Sequence, residues 1–424
     1  MAFDGPQINQ SDGNTGSSPE IKDRVIALVI GGVATTDLAL DEPKVFVHPS
    51  QAAALGIDAA YDANNGILVY DQLVEAFRLL GDKSGEVVFM LTARPDGSYG
   101  NELKDWFNDD GPVETLLRHT LGKDVKYVFT CFNSTSGYAP TFTNGGLADE
   151  LRDSIAPAQA LRTRLFEEKR YLHGIMLDGW KLQNVADVED LRDEAAPNVS
   201  VLIAVDGYVL DNYPAYPSLA AVGAAMGMYM VRNINENLGS VELTKPPGAF
   251  AGKESFPLGN GIRWEYAALL NGDDILQYVK AVQKALAAKA VIFAGSFSDY
   301  DGFFFSGDPT CVELASDYAW INRNCVFSEA ARLARLGTIP KVRSVMKRNP
   351  ATGNITGTSA KVIEKAGQKK LNQLLERDLV SDVKFFVSDA QKPSQTVPLK
   401  GTVKVIYDEI LYALEIDLGL YNTL

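Results

Sequence analysis

Six short runs of this sequence are almost wholly apolar: "RVIALVIGG", "EVVFMLTA", "VKYVFTCF", "LHGIMLDG", "VSVLIAVDG" and "AVIFAGSFSD". Runs of that length, rich in Val, Ile and Phe and in four cases closed by Gly or Asp, read as buried strands. Stretches of helical spacing lie between them. "NNGILVYDQLVEAFRLLGDKSG" places Leu68, Leu73, Phe77 and Leu80 on one face before Gly81. "SLAAVGAAMGMYMVRNINENLG" and "GDDILQYVKAVQKALAAK" read as two more helices, the second with Asp273 or Asp274 as its N-cap. With "KVFVHP" as a short strand and "SQAAALGI" as a helix from Ser50, the opening order is strand, strand, helix, helix, strand. That order is the mark of an α/β fold.

A chain of 424 residues has room for roughly two or three domains. Residues 1–22 are rich in Asn, Ser, Asp, Gly and Pro and too poor in apolar side chains to fold alone, so they are expected to form an arm. Neither a basic n-region nor an apolar h-region marks them as a secretory signal, and the expected place of synthesis and assembly is the cytoplasm. Cys131, Cys311 and Cys325 are far apart and in no Cys-x-x-Cys spacing, so they are expected to be buried thiols.

Catalytic signatures are weak. The chain carries no Gly-x-x-x-x-Gly-Lys loop, no His-Glu-x-x-His and no Gly-x-Ser-x-Gly elbow. "GNGIR" (Gly259 to Arg263) reads as a loop. His48, His119 and His173 have no second His or Cys at ligand spacing, and "FNDDG" and "SDYDG" read as turns. The expectation is a protein without catalytic residue, cofactor or metal. In "YDGFFFSGDP" three consecutive phenylalanines must point to both sides of an extended chain, so at least one face is expected to be buried, against another domain or against a partner.

The last third changes character. "CVELASDYAWINRNCVFSEAARLARLG" has a long helical pattern ending at Gly337, and "SAKVIEKAGQKKLNQLLERD" a second helix with Lys361, Lys365 and Lys369 in a row at four-residue spacing. Between Arg332 and Arg377, eleven Lys or Arg face two Glu, a net +9 that leaves −23 elsewhere in a chain of net charge −14. So acidic a chain is not expected to bind nucleic acid, and its basic segment looks for an acidic surface. "VKFFVSD", "GTVKVIYDEI" and the closing "LYALEIDLGL" suggest a small sheet under one helix. In the last stretch Tyr412, Leu414, Ile416, Leu418 and Leu420 fall on one side of an extended backbone and Glu415 and Asp417 on the other.

Three stretches, in order, carry a resemblance. "RVIALVIGGVATTDLALDEPKVFVHPSQAAALGI" with "YDQLVEAFRLLGDKSGEVVFML", then "GDPTCVELASDYAWINRNCVFSEAARLAR", then "GTVKVIYDEILYALEIDLGL" together resemble the tail sheath proteins of contractile phage tails, pyocins and related injection systems. The resemblance is weakest from about residue 100 to 260. The stretch from Gly337 to Ser359 departs from it in being basic and lacking an aromatic and acidic phrase.

The resemblance implies a multi-domain sheath fold: an N-terminal arm (1–22), an outer α/β part (23–305) and an inner C-terminal domain with a terminal linker strand (306–424). It implies a structural subunit that forms stacked hexameric rings with copies of itself around an inner tube, meets baseplate and tail terminator proteins, and contracts to drive the tube through a target envelope. By the same likeness the arm (Ile8, Ile21) and the terminal strand (Leu411, Tyr412, Leu414, Ile416, Leu418, Leu420) join neighbouring subunits, and Lys361, Lys365, Lys369 and Lys370 face the tube. Neither nucleic acid nor membrane insertion enters this picture. Two rival classes remain open: an α/β hydrolase-like enzyme, and a non-contractile self-assembling surface or binding protein.

Overall fold

The computed structural model describes residues 24–412 and 414–415. In chain order its strands are β1 (Val25–Gly32), β2 (Lys44–Phe46), β3 (Glu86–Ala93), β4 (Tyr127–Cys131), β5 (Gly174–Asp178), β6 (Val199–Leu202), β7 (Ala204–Asp206), β8 (Ala267–Leu269), β9 (Val291–Ile292), β10 (Ala294–Gly295), β11 (Phe304–Phe305), β12 (Asp382–Phe386) and β13 (Thr402–Ile406). The helices are α1 (Pro49–Ala53), α2 (Ala59–Asn65), α3 (Tyr70–Leu80), α4 (Pro112–Arg118), α5 (Asp149–Glu167), α6 (Gly207–Asn212), α7 (Val222–Val231), α8 (Lys280–Ala288), α9 (Ile321–Thr338) and α10 (Gly357–Glu376).

Seven strands form one sheet in the order β2-β3-β1-β4-β5-β6-β9, parallel throughout except where β2 meets β3. β1 lies inside it, paired with β3 from Val25↔Glu86 to Gly32↔Ala93 and with β4 from Ile26↔Tyr127 to Ile30↔Cys131. All eight of its residues are buried, as a parallel strand covered on both faces requires. Two glycines on α7 set how closely the helices pack. A Cβ on Gly223 would lie 2.1 Å from the Gln72 carbonyl oxygen and one on Gly227 2.6 Å from that of Ala76, so α3 and α7 meet backbone to backbone. The Gln72 amide closes the contact by donating to the Ala220 carbonyl at 3.0 Å and accepting from the Gly223 N–H at 2.5 Å.

The C-terminal part is a thinner stack of α9, α10 and the antiparallel hairpin β12–β13. Gly337 and Gly367 are its contact points: a Cβ on Gly337 would lie 2.8 Å from the Ala366 carbonyl oxygen, and one on Gly367 2.3 Å from the Phe385 ring. Gly337 therefore lies within the last turn of α9 and serves close packing, where the sequence suggested a terminator. Val383, Phe385 and Val387 are buried beneath α10, while Lys384 and Phe386 point to solvent.

Several boundaries differ from the sequence-based expectation. Residues 311–320 are not helical: Cys311 donates to the Val199 carbonyl at 2.8 Å and accepts from the Ala196 N–H at 2.7 Å, and the chain then runs through turns until Trp320 opens α9. Asp274 caps a 3-10 turn, Ile275–Gln277, and α8 starts only at Lys280. The helix expected from Ser218 starts at Val222, because the Ala221 N–H is bonded to the Ala204 carbonyl at the end of the sheet. Among the described residues the small C-terminal sheet has two strands, and most of the closing stretch expected to join it lies outside the described residues.

Candidate assembly surface

In a doubly wound sheet, ligands enter where successive strands leave to opposite sides of the first, at the strands' carboxyl ends. Here that place is between β1 and β4, and it is filled. Gly31 approaches the chain after β4 so closely that a Cβ would lie 2.1 Å from the Phe132 carbonyl oxygen. Asn133 donates to the Gly31 carbonyl at 3.1 Å, and Arg94 donates to the carbonyls of Asn133 and Ser134, both at 2.8 Å. The Trp180 indole N–H donates to Ser134 Oγ at 2.9 Å. Asp178, its carboxyl pushed up by burial, accepts from the Phe132 and Trp180 N–H groups. These side chains close the crevice with bonds to the surrounding backbone and, at Trp180 and Ser134, to each other.

The polar groups that sequence reasoning passed over serve the same end. Arg263, in the "GNGIR" loop, pairs with Asp71 at 2.9 Å and Asp206 at 2.6 Å, and stands 3.6 Å from Glu75. Trp264 adds an indole bond to Glu75 at 3.1 Å and a backbone bond to Asp206 at 2.7 Å. Burial raises the Asp206 carboxyl to about 6. The cluster fastens α3 to the end of β7; the signal in the sequence was an Arg between Ile262 and Trp264 in a glycine-containing loop, far from its acidic partners. All three cysteines are buried free thiols. His173, buried, is bonded to the Tyr229 hydroxyl at 2.7 Å, and His48 caps α1.

The C-terminal stack presents its groups outward instead. Lys361, Lys365 and Lys369 are exposed along one side of α10, where they border a groove of about 570 Å³ with Glu364, Gln368, Asn372 and the Phe385 ring at its base. Lys361 is partly engaged, 2.6 Å from Glu364. Lys370 is half-buried and off this row. The exposed face of the hairpin sets Lys384 directly opposite Lys404.

After β13 the chain is held against α9. The Arg323 guanidinium lies 4.3 Å over the Tyr407 ring and pairs with Glu409 at 3.2 Å. Asp408 accepts from Ser381 Oγ at 2.6 Å and Asn235 Nδ2 at 3.0 Å, and Tyr412 stacks on Trp320 with ring centres 4.7 Å apart. Leu411 and Leu414 are 76% and 71% exposed, and with Tyr412 they belong to no strand. Ile410, Leu411 and Tyr412 border an apolar cavity of about 590 Å³ whose far wall includes Phe297 and Phe304. In the triple-phenylalanine run, Phe304 and Phe305 are buried and Phe303 half-buried, with Phe305 edge-on to Trp264. Ile8, Ile21, Ile416, Leu418 and Leu420 lie outside the described residues.

The family profile described as DUF2586, N-terminal domain, matches residues 3–308. The chain belongs to this family. No curated protein matches it in sequence. Solved structures share the DUF2586 chain's fold from end to end. The helical sheath of the anti-feeding prophage in its contracted state is 13% identical with a TM-score of 0.57, over 100% of this chain and 99% of that one. The sheath complex of an extracellular contractile injection system, PVC, also contracted, is 10% identical with a TM-score of 0.54, over 100% and 98%. A chain of the six-fold symmetrised anti-feeding prophage baseplate is 12% identical with a TM-score of 0.52, over 99% of each. The DUF2586 chain thus has the α/β fold found in contractile sheath structures, and no described helix is long and apolar enough to cross a membrane.

Proposed function

We propose that this protein is a structural subunit of a contractile sheath and has no catalytic role. One observation carries the reading: the fold matches contracted sheath structures with alignments that cover 100% of this chain. Copies of the chain stack as hexameric rings around an inner tube, bounded by baseplate and terminator proteins, in a particle assembled in the cytoplasm. The arm (1–22) and the terminal segment (Leu411 to Leu420) link subunits by strand addition, in which main-chain hydrogen bonds survive the sliding of whole domains and alternate side chains fix register. Residues 23–305 form the outer part and 306–424 the inner part.

Lys361, Lys365, Lys369 and Lys370 are the tube-facing cations. Exposed ion pairs contribute about 0 to 1 kcal/mol each, which suits a surface that must release its partner. Contraction is a change between two sets of subunit contacts, the extended one metastable, and needs no reacting group. Negative-stain microscopy of the full-length chain beside a chain ending at Glu409 tests this. Rings or striated tubes from the full-length protein alone are the expected result; a monodisperse monomer from both sinks the proposal.

A further inference from the structure

At the amino ends of β4 and β5, where α9 passes the body, lies a pocket of about 260 Å³. Its wall holds Lys123, Lys126, Lys169, Arg170, Arg332 and Arg335 against a single carboxylate, Asp124. In a chain of net charge −14, six cations around one small space are a concentration that composition does not produce. They come from four separate stretches: the 3-10 turn Leu121–Asp124, the residue before β4, the chain after α5, and α9. Like charges gathered in this way oppose folding unless something neutralises them.

Little within the chain does so. Arg332 pairs with Glu329 at 2.5 Å, and the same buried carboxylate lies 3.4 Å from Arg377, so Glu329 is already divided between two guanidiniums. Arg170 donates to the Leu117 carbonyl. Among the described residues the side chains of Lys123, Lys126, Lys169 and Arg335 make neither a hydrogen bond nor an ion pair. Lys126 is half-buried while the other three are exposed. Burial pushes its ammonium below the ordinary lysine range, although Glu329 pulls the other way.

Lys169 adds a second sign. The Arg170 N–H donates to the Leu165 carbonyl at 2.9 Å and the Lys169 N–H to that of Phe166 at 3.0 Å, which closes α5 in a Schellman motif with Lys169 at φ 69°. Glycine is the usual residue at that position, and a lysine there is strained. The fold carries the strain and gains one more cation on the pocket.

Charge and size choose between anions. A side-chain carboxylate brings one negative charge and leaves most of the wall unneutralised. A phosphate group carries about −1.5 to −2 at pH 7 and three acceptor oxygens, and a pair of linked phosphates is smaller than this pocket. Guanidiniums meet phosphate oxygens two at a time, and ammoniums meet them as point charges.

We propose that this pocket binds a compact anion of two or more linked phosphates, held by Lys123, Lys126 and Lys169 of the body and Arg335 of α9. Bound there, the anion ties the C-terminal stack to the α/β body. Nothing in the proposal depends on the sheath reading.

Isothermal titration of the full-length chain with pyrophosphate, against chloride at equal ionic strength, is expected to show one site per chain. Orthophosphate should bind more weakly. Lys126→Met should weaken pyrophosphate binding about ten- to a hundredfold, the worth of a hydrogen bond to a charged group. Lys169→Gly should also weaken it, while the unfolding midpoint without ligand holds or rises because glycine suits the left-handed position. A merely structural role would not move those two readings apart. Lys361→Met, on the distant face of α10, should leave the affinity unchanged.

No binding above the chloride background, or affinity that survives both Lys126→Met and Lys169→Gly, overturns the proposal. So does an equal loss from Lys361→Met, which would mark attraction to charge in general. Orthophosphate binding as tightly as pyrophosphate would remove the need for linked phosphates. A peptide of the acidic residues 187–194 binding as tightly would assign the pocket to a second copy of the chain and overturn the phosphate.

Discussion

The α/β body and the C-terminal stack handle their backbones in opposite ways. In the body every residue of β1 is buried, both its edges are paired, and the crevice at its carboxyl end is closed by Asn133, Arg94 and Trp180. In the stack a two-stranded hairpin has one edge held by α10 side chains such as Gln368 and one to which no described residue bonds, and Phe386 remains 54% exposed. A closed body transmits force without deforming, because close-packed interiors have low compressibility. A hairpin of two strands is marginal alone and gains from a third. The contrast places rigidity in one region and partnership in the other.

The largest expected effect lies at the joint between them. Asp308 is fully buried at the start of α9, where it accepts the Asn322 N–H at 3.1 Å and a bond from Asn237, and burial raises its carboxyl to about 8 from an unfolded value of 3.8. Between those two values the folded chain holds a proton that the unfolded chain has released. Stability is therefore full below the unfolded value and falls as pH rises towards 8, by up to about 1.4 kcal/mol per pH unit. Chemical denaturation from pH 5 to 8 should show that slope, and Asp308→Asn should flatten it. An unchanged slope in the variant would place the titration elsewhere and loosen the claim that this joint is dry.

Next come two substitutions in the body. Arg263→Met leaves Asp71 and Asp206 without their cation, Glu75 keeping Arg78, and stability should fall by about 3 to 5 kcal/mol as for other broken buried pairs. Leu28→Ala, in fully buried β1, should cost about 2 to 5 kcal/mol. The matched change in the stack, Phe386→Ala, should stay within about 0.5 kcal/mol in the monomer. If Phe386→Ala destabilised the monomer as much as Leu28→Ala, the contrast between the two regions would collapse.

What the sequence made legible follows from which residues acted locally. β3 is bounded at Glu86 and Ala93 where its apolar run begins and ends, and α10 carries its own cap, Thr356, and its own apolar face. α5 was unreadable for a specific reason: Pro157 and many charges interrupt its 19 residues, although Leu151, Ile155, Ala158, Leu161 and Leu165 keep helical spacing and are buried. The non-helical start of residues 311–320 depends on bonds to Ala196 and Val199, more than a hundred positions away, and no local pattern announces it. The lysine row could be read from its spacing, whereas the edge that Gln368 closes could not, because a helical Gln carries no mark of the strand it will face.

The smallest expected effect is at that row. Lys361, Lys365 and Lys369 are exposed, so charge reversal should leave the unfolding midpoint unchanged within about 0.5 kcal/mol. On the proposed sheath reading their contribution belongs to the complex with the tube, at about 0 to 1 kcal/mol each, and is screened over a Debye length of about 10 Å at 0.1 M salt. Lys365→Glu should therefore weaken tube association more than Lys361→Glu, because Lys361 already shares its charge with Glu364 at 2.6 Å. The difference between the two should shrink as salt is raised. Lys370→Glu should give the smallest loss of the four, since Lys370 is half-buried off the row and borders no part of the groove. Equal, salt-insensitive losses at all four positions would mean that α10 meets its partner by shape, and the open character of the C-terminal stack would then rest on the hairpin edge alone.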